Sequence, residues 1–378
     1  MAVKKIGFGI IGCGLMGKEF AGAAARWCHL KDPKAKPEIV AVCDASPHAM
    51  TWFCDRLEHM PSTYSDYREL LADPAVEAIY CAVPHNLHER LYTDIISAAK
   101  HLLAEKPFGI DLKACESIMA AIAAHPEVLV RCSSEFPFYP GPQRIARMIE
   151  ENAFGRIIEV QAGFLHSSDL DPNKPINWKR KVASCGEYGC MGDLGMHVLH
   201  MPLRAGWRPK NVRALLSKVV AERPDGRGGM SACETWDNAI LACESEAGFP
   251  MVLETKRISP GDTNTWYIRI LGTECSAEYS TKNPKALRTL PYKSGGRQSW
   301  HVEDLGYESA YPAETGHIFE FGFTDAIQQM WAAFVDEIAG FRPPFGCATP
   351  QEALGSHRLF TAALRSHATG GTATIEWA

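Results

Sequence analysis

The sequence predicts an α/β chain in two parts: a doubly wound parallel sheet over residues 1–134, then an α/β domain over 135–378 with a largely antiparallel, open sheet. Three observations carry that expectation. An apolar strand from Ile6 runs straight into Gly12-Cys13-Gly14-Leu15-Met16-Gly17, and a small-residue helix follows at once. Short apolar strands then alternate with helices up to about residue 134. Beyond Phe136-Pro137-Phe138-Tyr139-Pro140-Gly141-Pro142, strands begin to follow strands.

Taken in order, the first half reads as a strand at Ile6, a helix from Leu15, a strand from Ile39 closed by Asp44, and a helix after Ser46. A strand from Ala75 to Val83, a helix from Asn86 to Lys100, a strand from His101 to Ala104, a helix from Asp111 and a strand from Val128 to Ser133 complete it. Strands that are apolar throughout and separated by helices belong to a parallel sheet covered on both faces. In the second half, Val212 to Val220, Thr235 to Glu244, Pro250 to Ile258, Trp266 to Gly272 and Ser276 to Tyr279 predict antiparallel strands, with a hairpin turn at Glu246 to Pro250. Two helices follow: Thr324 to Ala339, and one opened by Thr349, where Glu352 completes a capping box. Such a sheet leaves a broad face to cover. A second copy of the chain is the expected cover, giving a homo-oligomer, a dimer or a tetramer.

The glycine order is what gripping a dinucleotide pyrophosphate demands. Gly12 permits the tight turn off the strand, Gly14 lets backbone approach the phosphates, and Gly17 lets helix and strand pack closely, so that helix N–H groups aim at the anion. Asp44 ends the next strand, where a carboxylate can accept from both ribose hydroxyls. It lies beyond the usual spacing of about 20 residues, and the loop Lys31-Asp32-Pro33-Lys34-Ala35-Lys36-Pro37 accounts for the excess. A carboxylate there repels a 2′-phosphate and no arginine follows it, so NAD is expected over NADP. The plainer alternative for Asp44 is a strand-end acid or a cap for the following helix.

Bulk properties exclude other classes. With 378 residues, 46% hydrophobic and 22% charged, the chain can bury two cores and has an ordinary globular composition. A net charge of -5 and a pI near 6.3 leave no basic footprint for nucleic acid or an anionic membrane. No apolar run reaches the ~18 residues of a membrane span, and Met1-Ala2-Val3-Lys4-Lys5 leads into a strand and not a signal peptide. The 13 cysteines are odd in number, mostly set in apolar runs, and form no CxxC pair, which predicts free thiols in a reducing, cytoplasmic compartment.

In order along the chain, Gly12-Cys13-Gly14-Leu15-Met16-Gly17, Glu105-Lys106-Pro107, Asp193-Leu194-Gly195-Met196-His197 and Gly272-Thr273-Glu274 resemble the Gfo/Idh/MocA family, the glucose-fructose oxidoreductase and inositol dehydrogenase group. The resemblance implies NAD(P)-dependent oxidation or reduction at a secondary alcohol of a sugar, polyol or cyclitol, on a Rossmann domain joined to an α/β domain. It also implies that Lys106, Asp193 and His197 are catalytic. The chemistry favours the same three. A hydride leaves a carbinol carbon as the hydroxyl proton is removed, and an imidazole such as His197 suits that task. An ammonium at a strand's carboxyl end, Lys106, can stabilise the developing alkoxide. Asp193, four residues before His197, shares its helical face and can orient the imidazole or hold Lys106.

By the same resemblance Val83, His85, His88, Glu105 and Lys106 join the glycine loop and Asp44 as cofactor contacts. Trp178, Lys179 and Arg180 join Lys106, Asp193 and His197 around the substrate, and either Lys179 or Arg180 is the cation that points inward. Glu135-Phe136 stands where many relatives carry asparagine and arginine, which predicts a pocket of different shape. Asp193, His197 and His200 also fall at i, i+4 and i+7, a zinc-compatible spacing, but Gly192 and Gly195 weaken a helix there and no metal is expected. Two other functions fit the motifs. One is a glycosidase that uses held NAD for transient oxidation and elimination; the other is a nonenzymatic NAD(P)-binding sensor, which has no use for a proton-transfer set.

Overall fold

The structure is a computed structural model that describes residues 3–306, 308–316 and 318–377. The first sheet has six parallel strands: β1 (Lys4–Ile11), β2 (Ala35–Cys43), β3 (Ser62–Tyr64), β4 (Ala78–Cys81), β5 (His101–Ala104) and β6 (Val130–Cys132). Their spatial order is β3-β2-β1-β4-β5-β6, so the connections reverse between β1 and β4 and open a crevice at the strands' carboxyl ends. Both faces are buried: Ile6, Phe8 and Ile10 enter one core, Ile79 and Cys81 the other. Helices α1 (Leu15–Ala25), α2 (Pro47–Arg56), α3 (Tyr67–Ala72), α4 (His88–Ser97) and α5 (Leu112–Ala124) make the connections. The strand expected over Ala75–Val83 contracts to Ala78–Cys81, because Asp73 draws the N–H groups of Ala75 and Val76 into a turn.

Helix α6 (Pro140–Glu150) leads into the second half. There β7 (Ile157–Leu165) and β8 (Pro209–Ser217) are followed by a small ribbon of β9 (Glu222–Pro224) and β10 (Met230–Ala232). Then come β11 (Asn238–Ser245), β12 (Pro250–Lys256), β13 (Thr265–Gly272), β14 (Cys275–Ser280), β15 (Ala286–Pro291), β16 (His301–Asp304) and β17 (Ala373–Thr374). Nine of these strands form one sheet, ordered β16-β15-β14-β13-β7-β12-β11-β8-β17. Its pairings are antiparallel except β7 with β12, so the expected topology holds with one parallel neighbour at its centre. The central strand β7 was missing from the sequence expectation, although Ile158, Val160 and Ala162 alternate with Glu159 and Gln161.

Helices α7 (Val182–Cys185) and α8 (Cys190–Arg204) precede β8, and α9 (Phe323–Ile338) and α10 (Pro350–Thr369) close the chain. Thr349 and Glu352 form the expected capping box on α10. Helices α8 and α10 lie on the inner face of the second sheet. The opposite face carries Leu215 and Ile240, cross-strand partners that are 59% and 37% exposed. One departure concerns the boundary at residue 134. Helix α9 crosses back and covers the first sheet: Trp331 stacks on Phe20 with centroids 3.7 Å apart, Gln328 donates to the Arg26 carbonyl at 2.7 Å, and Arg26 pairs with Asp325 at 2.6 Å. A single apolar cluster therefore runs through both halves. Among the described residues no helix is long and apolar enough to cross a membrane.

Candidate active site

A cavity of about 1060 Å³ lies at the carboxyl ends of the first sheet and is walled on its far side by the second half. At one end is the glycine loop. Gly12 has φ +99°, and a Cβ there would stand 2.2 Å from the Ala82 carbonyl oxygen, so only glycine fits. A Cβ on Gly17 would meet the Gly12 carbonyl oxygen at 2.5 Å. Gly14 faces open space, the room a pyrophosphate needs above the first N–H groups of α1. Asp44 lines the same end, its oxygens accepting from the N–H of Cys13 at 2.9 Å and of Ser46 at 2.8 Å. These residues fit a dinucleotide: the loop's backbone would hold the pyrophosphate and Asp44 the ribose. Leu15, Met16, Val83, His85 and Glu105 line the cavity between there and the far end.

The far end is built on α8. Helix α8 forms despite its glycines, because Gly195 admits Phe360 of α10 where a Cβ would stand 2.3 Å from the ring. Asp193 and His197 both line the cavity from this helix, and Lys106 enters from the end of β5. Lys106 Nζ donates to the Asp193 carbonyl at 2.6 Å and to its Oδ1 at 3.1 Å. Lys179 Nζ donates to Asp193 Oδ1 at 2.9 Å, and Arg257 pairs with Oδ2. Of the two roles weighed for Asp193, holding Lys106 is the one its contacts support. Burial pushes Lys106 below the ordinary lysine range, though Glu105 and Glu135 oppose the shift. Burial, then the neighbouring Lys106, holds the His197 imidazole well below its ordinary value, so it is neutral at physiological pH.

Four expected contacts fall elsewhere. Cys13 turns its side chain into the core, 1% exposed, where the thiol donates to the Cys43 carbonyl, and its N–H donates to Asp44. Gly17 sits beneath the loop against Gly12. His88 is fully buried, its nitrogens 2.8 Å from the Val83 carbonyl and 2.7 Å from that of Pro107, so it fixes two loops under the cavity and does not reach into it. Arg180 is 1% exposed and locked between Asp169 and Asp237. Its neighbour Lys179 is the cation that points inward, beside Trp178. His85 stays at the wall, donating from Nδ1 to the Cys185 carbonyl at 3.1 Å. His200 lies outside the cavity with Nε2 3.0 Å from Arg204, and among the described residues no group of three or more His, Cys, Asp or Glu is arranged to hold a metal ion.

The site also contains residues that the sequence did not single out. Arg257 follows β12 and joins Asp193 to Asp169, which lies 2.8 Å from its Nε. His166 and Phe164 come from the end of β7. The only sequence signal for them was β7 itself, whose end points at the cavity.

Residues 6–132 match the family model described as "Oxidoreductase family, NAD-binding Rossmann fold", and residues 143–278 match the "GFO/IDH/MocA C-terminal domain". Levoglucosan dehydrogenase of Pseudarthrobacter phenanthrenivorans is 28% identical over 62% of this chain and 59% of its own length. Inositol 2-dehydrogenase/D-chiro-inositol 3-dehydrogenase of Lactiplantibacillus plantarum is 25% identical over 39% of this chain and 41% of its own. Both matches thus span less than two thirds of the relative. Among solved structures, levoglucosan dehydrogenase in complex with NADH and levoglucosan superposes with a TM-score of 0.89 at 22% identity, covering 99% of this chain and 100% of that one. An NAD binding oxidoreductase from Klebsiella pneumoniae gives a TM-score of 0.89 at 21% identity, covering 98% and 99%. Those likenesses establish the fold. With both family models matched in order along it, the chain belongs to the Gfo/Idh/MocA family of NAD-binding oxidoreductases.

Proposed function

We propose that this protein is an NAD-dependent dehydrogenase acting on a secondary alcohol of a sugar, polyol or cyclitol. One observation carries the reading: an ammonium from the first half, Lys106, and an imidazole from the second, His197, line the same cavity as the dinucleotide loop. When bound, NAD supplies the hydride acceptor. The carbinol O–H proton passes to the neutral His197, the C–H electron pair departs as hydride, and the carbonyl forms. Lys106 has three N–H donors, and Asp193 engages two of its directions, which leaves a donor for the reacting oxygen. Trp178 and Lys179 offer an apolar face and a cation, a pairing suited to a polyhydroxylated ring.

The reading extends to assembly and setting. The exposed apolar strip at Leu215 and Ile240 supports a homo-oligomer formed through the outer face of the second sheet. All 13 cysteines are free thiols, most of them buried, which fits a reducing cytoplasm. The test of function is a panel of sugars, anhydrosugars, polyols and inositols with NAD and NADP in parallel, following nicotinamide reduction. Reduction of NAD by at least one member is the expected result. Silence across the panel from folded protein that binds NAD would overturn the reading.

A further inference from the structure

Asp193 has no oxygen left for His197, since Lys106, Lys179 and Arg257 converge on it. The carboxyl that faces the imidazole comes from another element. Glu135, just after β6, places Oε2 3.6 Å from His197 Nδ1, and the two side chains are only 5% and 4% exposed. Nδ1 is buried with no hydrogen-bond partner. A buried polar atom left unpaired costs roughly 1–3 kcal/mol, and the Glu135 carboxylate is the acceptor set beside it. The ring itself is held. Phe136 and Phe164 stand edge-on to it at 5.4 and 5.3 Å, and Trp266 Nε1 donates to the His197 carbonyl at 2.9 Å.

We propose that Glu135 is the positioning residue of the proton transfer: it accepts from Nδ1–H of His197, fixing the tautomer whose Nε2 is free to take the carbinol proton. The proposal rests on the dehydrogenase reading of His197. In the step the substrate proton moves to Nε2, the Nδ1 proton stays where it is, and Glu135 faces the imidazolium that results. Its charge then sets how strong a base His197 is. Burial, with the nearby Glu105, pushes the Glu135 carboxyl up to about 8, and Lys106 opposes the rise. Tyr80 and Tyr139 also face it. Lys106, Lys179, His166 and His200 surround His197 and all disfavour the imidazolium. Ionised Glu135 favours it, so oxidation should quicken as pH rises through the Glu135 range.

The test joins nitrogen-15 NMR of imidazoles in the cofactor-free protein to the pH profile of oxidation. The His197 signal, recorded above the Glu135 range where the carboxylate can only accept and assigned by its loss in His197→Asn, is expected to be Nδ1-protonated in the wild type and in Glu135→Gln, and to move toward the other tautomer in Glu135→Leu. Turnover in Glu135→Leu should fall about ten-fold or more with KM little changed. The alkaline rise of the wild type should vanish in Glu135→Gln, which keeps an acceptor oxygen without a charge. An Nε2-protonated His197 in the wild type overturns the proposal, as does an alkaline rise retained in Glu135→Gln. A wild type that oxidises no alcohol overturns the dehydrogenase reading instead, and the tautomer still decides what Glu135 does.

Discussion

The two sheets bring different materials to one cavity. The first works through main chain: the Gly12 turn, the space at Gly14 and the N–H groups that orient Asp44. The second works through buried charge, with Asp169, Asp193 and Asp237 holding Lys179, Arg180 and Arg257. A parallel sheet covered on both faces has only its strand ends open. A sheet with helices on one face can instead seat ionised side chains between helix and strand, provided that each is paired. Changes in the first region should alter what binds; changes in the second should alter stability and chemistry together.

Acid probes the buried imidazoles of both regions. His85, His88, His197, His200 and His357 are buried, and burial holds each below its ordinary value. The unfolded chain therefore takes up these protons first. Stability is full above about pH 6.5 and falls by up to about 1.4 kcal/mol per group for each unit below it. Glu135 has the opposite sign, since its raised value costs stability as pH climbs from the ordinary carboxylate range to about 8, but it is one group against five. Urea midpoints measured between pH 7.5 and 5 on an ~0.5-unit grid check this, and a flat profile would mean that these imidazoles are not held neutral.

Neighbours in sequence sharpen the contrast. Arg180→Met leaves Asp237 and part of Asp169 unpaired in the interior and should destabilise the fold by about 3–5 kcal/mol. Lys179→Met should instead raise KM or lower turnover with a smaller shift of the urea midpoint. Unchanged stability with a raised KM in Arg180→Met would restore the guanidinium to the substrate site. For Lys106→Met, turnover is expected to fall by about 100-fold or more while NAD still binds in calorimetry. Near-normal turnover would remove the ammonium from the chemistry. The mildest change is Asp44→Arg, expected to shift the NAD-to-NADP preference by about ten-fold with little effect on melting; unaltered selectivity would take Asp44 off the ribose.

How much of this was legible follows the same division. Backbone-made features leave marks in sequence. Gly12 and Gly17 must be glycine, the apolar strands must be apolar throughout, and the Thr349–Glu352 cap has a fixed spacing, so loop, sheet and helix start were all readable. Charge pairing across the fold leaves none. Nothing in Trp178-Lys179-Arg180 says that adjacent cations part company, one to the cavity and one to a sealed ion pair, because that depends on Asp169 and Asp237 arriving from elsewhere. Arg257 was invisible for the same reason. His88 misled because its place in the loop resembles a cofactor contact, whereas its ring lies between two carbonyls below the floor.

Helix α9 carries a consequence for how the molecule can be made and rebuilt. The aromatic lid over Phe8 and Phe20 comes from Trp331 and Phe334, far along the chain from the strand and helix they cover. On the ribosome the nucleotide-gripping layer must wait, one flank bare, until residues 323–338 emerge. Any chimera that grafts this layer onto another enzyme has to carry residues 323–338 with it.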